Sequence, residues 1–193
     1  MNTPQKLVAE FFGTFMLIFI GAGSICANHF MGDAGGGIMA IALAHGLAIA
    51  CGFAVGHISG AHFNPAITLG FWVTKQMGPL AALLYWLAQL AGSIAAAHLL
   101  KALLPAEIWG PVLLGAPALA ADFTRLQGMV LESVLTFFLV FVFFATALDT
   151  RNACRSLAPL AIGFAVCMGV FFGAPFTGAA LNPARALGPA LAG

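Results

Sequence analysis

The chain has 193 residues, of which 62% are hydrophobic and 7% charged, with a formal net charge of +1 and a mean hydropathy of +1.03. Soluble domains carry about 25% charged and about 45–50% apolar residues, so a water-soluble globule of this size would lack the polar surface to cover its core. These values exclude a soluble enzyme, a nucleic-acid binder and a disordered tail, and they predict an integral membrane protein whose partner is the lipid bilayer.

A spanning helix needs about 20 mostly apolar residues. Five segments meet that test, approximately Leu7–Asn28, Ile38–His57, Pro79–Lys101, Leu126–Leu148 and Leu157–Pro175. The first runs well past a signal-peptide core of about 7–15 residues, so it is read as a span and not as a cleaved leader. Asn64–Val73 and Asn182–Ala192 are too short to cross. Each opens with Asn-Pro. Asparagine suits the N-cap and proline the first helical position, which predicts two half-helices that start abruptly and end early. The stretch 102–125, with Pro105, Pro111, Pro117, Glu107 and Asp122, reads as the one long loop. Lys6, Lys75, Arg151 and Arg155 fall on one side and Lys101 and Arg125 on the other. That bias predicts a cytoplasmic N terminus, and the plasma membrane is the expected location.

Abundant glycine, 23 residues, lets membrane helices approach closely. Cys26, Cys51, Cys154 and Cys167 show no paired spacing and are read as small packing residues, not as a disulfide or metal set. His57 and His62 lie five apart around a glycine, which is no metal-binding spacing. His98 is expected to be a packed helix residue and His29 a loop residue near the outer surface. No metal, no cofactor and no catalytic group is predicted; Ser59 beside His57 or His62 is the nearest nucleophile–base pair.

An internal repeat organises the chain. Ser59-Gly-Ala-His-Phe-Asn-Pro-Ala-Ile-Thr-Leu-Gly70 matches Thr177-Gly-Ala-Ala-Leu-Asn-Pro-Ala-Arg-Ala-Leu-Gly188 at an offset of 118. Upstream, Glu10, Thr14, Phe15, Leu17 and Phe19 match Glu132, Thr136, Phe137, Leu139 and Phe141 at an offset of 122. Three spans precede the second copy, so the copies lie inverted, an arrangement that places a permeation site near the bilayer midplane. The expectation is a single transmembrane channel domain over 1–193, with repeat halves 1–101 and 126–193 linked by 102–125. At the repeat offset the counterpart of Pro79–Lys101 would occupy about 197–219, past Gly193. Five full spans, two half-spans and no sixth are therefore expected, either in a piece of a longer protein or in a departure from the parent architecture.

Lipid-exposed irregular backbone is prohibitive, so Gly60, Ala61, His62 and Phe63, and Gly178, Ala179, Ala180 and Leu181, must be buried or line a wet cavity. Lining a pore gives water a file of carbonyl acceptors, with the Asn64 and Asn182 amides donating from the helix tips. Two facing half-helix N-termini concentrate positive charge that opposes cations and hydronium. Arg185 costs at least about 2.5 kcal/mol at membrane depth, and such residues usually face a cavity. Glu10 and Glu132 are expected to support the re-entrant loops by accepting their hydrogen bonds.

Asn64-Pro65-Ala66 and Asn182-Pro183-Ala184, with Arg185 after the second box, resemble the major intrinsic proteins, the aquaporins and aquaglyceroporins. The likeness runs from about Val8 to Gly193. It implies an aquaporin-like inverted repeat with two re-entrant half-helices, a homotetramer with one pore per subunit, and passive flow. By residue-by-residue carry-over, it also implies a selectivity filter of His45, Val170, Ala179 and Arg185. Val170 replaces the usual large ring and the imidazole moves to His45, which is similar to the tonoplast intrinsic group. That filter implies water plus small neutral solutes such as ammonia, urea or hydrogen peroxide. His45 is expected to exchange hydrogen bonds with ammonia and to titrate near neutral pH. Alternatives are a glycerol, small-polyol or metalloid facilitator, disfavoured by Ala186 where aquaglyceroporins usually carry Asp, and a truncated non-conducting subunit.

Overall fold

The computed structural model describes residues 2–153 and 155–193, so Cys154 lies outside the described residues. Seven principal helices follow in order: α1 (Thr3–Met31), α2 (Gly37–Gly52), α3 (Pro65–Val73), α4 (Pro79–Leu103), α5 (Arg125–Phe143), α6 (Ala158–Thr177) and α7 (Pro183–Ala192). Among the described residues, five helical stretches are long and apolar enough to cross a bilayer: Thr3–Ala34, Gly37–Ser59, Pro79–Leu103, Arg125–Leu148 and Arg155–Thr177. This is an all-helical, multi-pass membrane fold with α3 and α7 as its two half-helices.

Local chemistry sets the helix ends. Asn2 and Gln5 form a capping box at the start of α1, with Asn2 Oδ1 accepting from Gln5 N at 3.1 Å and Gln5 Oε1 from Asn2 N at 3.2 Å. Thr124 and Gln127 do the same for α5. Proline opens α3, α4 and α7, where its missing N–H costs nothing. The second span is less regular than its hydropathy predicts. It stops at Gly52 and continues through a 3₁₀ turn, Phe53–Val55, and a short turn, Gly56–Ser59. The chain must there swing from a membrane span into a re-entrant loop. The fourth span ends in a π turn, Phe144–Leu148, whose Ala145 and Ala147 carbonyls accept from Asn152 Nδ2 at 2.9 Å and Arg155 Nη2 at 3.0 Å.

Helix α1 packs along α4 and α2, α2 along α6, α5 along α6, and α7 along α4. The α2–α6 crossing joins equivalent helices of the two halves. A Cβ built on Gly46 would lie 2.4 Å from the Gly163 carbonyl oxygen, and one on Gly163 would lie 2.6 Å from the Gly46 oxygen. Outward faces remain apolar, with Phe12, Leu80, Phe137, Phe164 and Phe172 exposed as in a lipid-facing surface.

Three sequence expectations need correction. His98 is exposed on α4, not packed, and His29 sits in the last turn of α1, which extends to Met31. Cys26 and Cys167 are buried, but Cys51 is exposed, because it falls on the outward face of α2.

The α4–α7 contact gives a direct stability prediction. A Cβ on Gly188 would lie 2.0 Å from Ser93 Oγ and 2.7 Å from the Ser93 backbone. Backbone cannot rotate away, so Gly188→Ala is expected to cost at least about 1–3 kcal/mol. A thermal unfolding curve in detergent should show a lowered midpoint, and an unchanged midpoint would contradict this packing.

Candidate functional site: a channel closed around two asparagine tips

Each half-helix begins at an asparagine in extended conformation. Asn64 Oδ1 accepts from Ala66 N at 2.8 Å, and Asn182 Oδ1 from Ala184 N at 3.0 Å and Arg185 N at 3.2 Å. The oxygen of each amide thus caps its own helix. The nitrogens reach across: Asn64 Nδ2 donates to Leu181 O at 2.9 Å, and Asn182 Nδ2 to Phe63 O at 2.8 Å. The two tips are tied reciprocally. One N–H of each amide remains for other partners, since each NH₂ carries two donors.

The approaching loops are held by the paired acids. Glu10 is fully buried and accepts from Ser59 Oγ (2.6 Å), His62 N (3.0 Å), Phe63 N (2.7 Å) and Gln89 Nε2 (2.8 Å). Glu132 accepts from Thr177 Oγ1 (2.6 Å), Ala180 N (2.9 Å) and Leu181 N (2.9 Å). Ser59, His62 and Phe63 in the first set correspond through the repeat to Thr177, Ala180 and Leu181 in the second, while Gln89 is an additional donor to Glu10 alone. Both cradles hold backbone in an uncommon form: Ala61, Phe63, Ala179 and Leu181 have φ of 53°, 48°, 47° and 50°, beside Gly60 at 92° and Gly178 at 81°. Left-handed conformation at a non-glycine residue costs about 1–3 kcal/mol and persists only where its surroundings over-determine it. Bound amides at His62, Phe63, Ala180 and Leu181 supply that constraint.

A narrow cavity runs past both tips. Phe53, His62 and Phe143 line it on one side of Asn64 and Asn182; His45, Val170, Ala179 and Arg185 line it on the other. All four residues carried over as a filter therefore line one cavity. Beyond them lies a wider vestibule, walled by Ile25, Ile38, Ile41, Val112, Gly115, Ala116 and Ala118.

Arg185 is buried and held on two sides. Nη1 donates to Gly115 O at 2.7 Å, and Nη2 lies 3.3 Å from His45 Nε2, while Nε has no partner among the described residues. His45 Nδ1 is 2.8 Å from Ile41 O. A carbonyl can only accept, so Nδ1 carries the hydrogen and the Nε2 lone pair receives Arg185. That lone pair is spent within the protein, contrary to the expectation that His45 offers it to ammonia.

Several contributors were not found from the sequence. Gly115 belongs to the long loop, which folds back with Leu113 and Leu114 at φ of 47° and 52°. Gly21 seats the His45 ring: a Cβ there would lie 2.6 Å from His45 Cδ2. Helix α4 braces both half-helices, through Tyr85 Oη to Ser59 O (2.8 Å), Trp86 Nε1 to Pro65 O (3.1 Å), Gln89 to Glu10, and Ser93 Oγ to Ala184 O (2.5 Å). Tyr85, Gln89 and Ser93 recur every four residues in an otherwise apolar helix. That spacing is one face of a helix and was the available signal.

The family model for the major intrinsic protein matches residues 1–193. Aquaporin TIP4-4 from Zea mays is 42% identical over 192 residues, covering 97% of this chain and 75% of that protein. Aquaporin TIP2-1 from Arabidopsis thaliana is 39% identical over 194 residues, covering 97% and 76%. The fold superposes on the X-ray structure of the aquaglyceroporin from Plasmodium falciparum with a TM-score of 0.83 at 24% identity, covering 98% of this chain and 81% of that one. With the paired asparagine boxes, the inverted repeat and these matches together, the chain belongs to the major intrinsic protein family of aquaporin channels.

Proposed function

We propose that the chain forms a passive channel for water and small neutral solutes such as ammonia, urea and hydrogen peroxide, and that it excludes protons and ions. The observation that carries this reading is the pair of asparagine tips tied across the centre of one cavity. Water in that cavity meets a donor at each tip and carbonyl acceptors to either side. The facing N-termini of α3 and α7 make the centre positive, so a water there turns its oxygen toward the amides, and cations and hydronium are opposed. Arg185 adds a fixed positive charge at the outer constriction.

Val170 and Ala179 support a filter wider than an aromatic one, with an apolar wall facing the Arg185–His45 pair. The aquaporin names of the relatives agree with water as a permeant. We further propose one channel domain built from halves 1–101 and 126–193, in which 102–125 is more than a linker because Gly115 holds Arg185. A homotetramer in the membrane is the assembly proposed from the family. The protein is an integral multi-pass membrane protein; the cytoplasmic N terminus rests on the Lys/Arg bias, and the TIP-type relatives do not support the plasma membrane.

Stopped-flow shrinkage of proteoliposomes holding this chain tests the reading. Shrinkage well above that of empty vesicles is expected, and equality would overturn it. His45→Phe is the second arm. The larger ring would crowd the Gly21 seat and free Arg185 Nη2, so urea and ammonia flux should fall about tenfold, the effect of about 1.4 kcal/mol, with water flux retained. Unchanged solute flux would remove His45 from the filter.

A further inference from the structure

A chain of polar contacts behind the inner half of the channel ends on a histidine that faces the cavity. Gln89 Nε2 donates to Glu10 Oε2 at 2.8 Å and to Thr68 Oγ1 at 3.0 Å. Thr68 Oγ1 is also 3.2 Å from Asn64 O and 3.0 Å from His62 Nδ1. All four side chains are buried. Glu10 decides how the Gln89 amide is turned. Reversed, Gln89 Oε1 would face a carboxylate oxygen that has no hydrogen to give, whereas the present orientation leaves only Oε1 without a partner.

Thr68 has one hydroxyl hydrogen and already accepts from Gln89. Directed at Asn64 O, that hydrogen satisfies every short contact, provided that His62 Nδ1–H donates to Thr68. Directed at His62 instead, it leaves Thr68 and Asn64 oxygens 3.2 Å apart with nothing between them. The first arrangement makes three hydrogen bonds and the second two, so the first is favoured. We propose that Gln89 and Thr68 are positioning residues that hold His62 as its Nδ1–H tautomer, so that Nε2 meets the channel as a bare acceptor.

His62 lines the cavity, and its ring packs against Phe71 and Tyr85, with centroids 4.2 Å and 5.2 Å away, which opposes the turn-over that would exchange its nitrogens. Nε2 has no protein partner among the described residues. Resting on the channel reading, the consequence is that the inner half offers acceptors only, from the loop carbonyls and from His62. A permeant there must donate. Water and urea do so readily and ammonia weakly, so this stretch disfavours ammonia relative to water.

The test is the nitrogen-15 NMR spectrum of the histidine rings in lipid-reconstituted protein, with His62→Asn identifying the resonance. Wild type and Thr68→Ser should show a protonated Nδ1 and a bare Nε2; a protonated Nε2 in wild type overturns the proposal. Thr68→Val keeps the shape and removes the acceptor, so the proton should move to Nε2 and the ammonia-to-water permeability ratio should rise about threefold, the weight of part of one hydrogen bond. A moved proton with an unchanged ratio overturns the selectivity role. Should Thr68→Val fail to fold, the wild-type and Thr68→Ser spectra still decide. Absence of any flux in wild type would sink the channel reading, while the spectrum would still report the tautomer.

Discussion

Glu10→Ala is expected to abolish the folded protein, and Glu132→Ala to weaken it severely. Removing the Glu10 carboxylate strands four donors at membrane depth: two backbone N–H groups, a hydroxyl and an amide. Each buried donor left unsatisfied costs about 1–3 kcal/mol. The sum, about 4–12 kcal/mol, is comparable to the about 5–15 kcal/mol that holds a native protein together. It also loosens the loop that carries the left-handed residues Ala61 and Phe63, which then keep only the bonds from Ala61 N to Ser59 Oγ and from Asn182 Nδ2 to Phe63 O. Glu10→Gln should fall between, since a single amide oxygen cannot serve both donor pairs and its NH₂ would oppose other donors. Glu132 has three donors in its cradle, so its loss costs less by one hydrogen bond. Monodispersity and thermal unfolding of the purified variants check the order: Glu10→Ala worst, Glu132→Ala next, wild type best. Wild-type-like melting of Glu10→Ala would mean that the loops stand without their cradle.

For Arg185→Ala the expected effect is on permeation and not on folding. The guanidinium costs at least about 2.5 kcal/mol to place at depth. Its removal leaves Gly115 O and His45 Nε2 without donors at a cost of about 1–3 kcal/mol each, but both then face a cavity large enough for water to take the donor's place. The opposing contributions nearly cancel, so the unfolding midpoint should move little. The constriction, however, loses its bulkiest side chain and its only full positive charge. Urea flux into proteoliposomes should rise about tenfold, the effect of about 1.4 kcal/mol at the barrier. An interior pH dye should report faster proton entry than in wild type. Tight exclusion of both by Arg185→Ala would shift the filter away from this residue.

How much of this was legible beforehand depended on range along the chain. The spans, the half-helices and the inverted repeat follow from hydropathy and from one duplicated motif, both local properties. Glu10 and Glu132 stood out because a charge in an apolar helix demands a partner, although only the coordinates name Ser59, His62 and Phe63. His45 and Val170 entered by likeness to a family. Gly21, Gly115 and Gln89 were missed for a common reason. Gly21 contributes an absence of side chain, Gly115 a carbonyl that every residue possesses, and Gln89 an amide whose partners lie 79 and 21 residues away. Gly21 and Gly115 leave no trace in composition or periodicity, and Gln89 shows only as one of three polar residues spaced by four along α4. The early end of α2 at Gly52 was likewise hidden, since Phe53, Ala54 and Val55 continue the apolar run while the backbone already turns.

The bonds between the asparagine tips also bear on how the channel is made. They link residues 117 and 119 positions apart, separations that place a large closure entropy ahead of any reward. During synthesis the loop at 60–63 is complete while its counterpart at 178–181 has yet to enter the membrane. Until then the Asn64 amide and the Phe63 carbonyl have no mates in the opposite half. The first re-entrant loop must wait, supported by Glu10 and α4, until one step ties the asparagine tips of the two halves together.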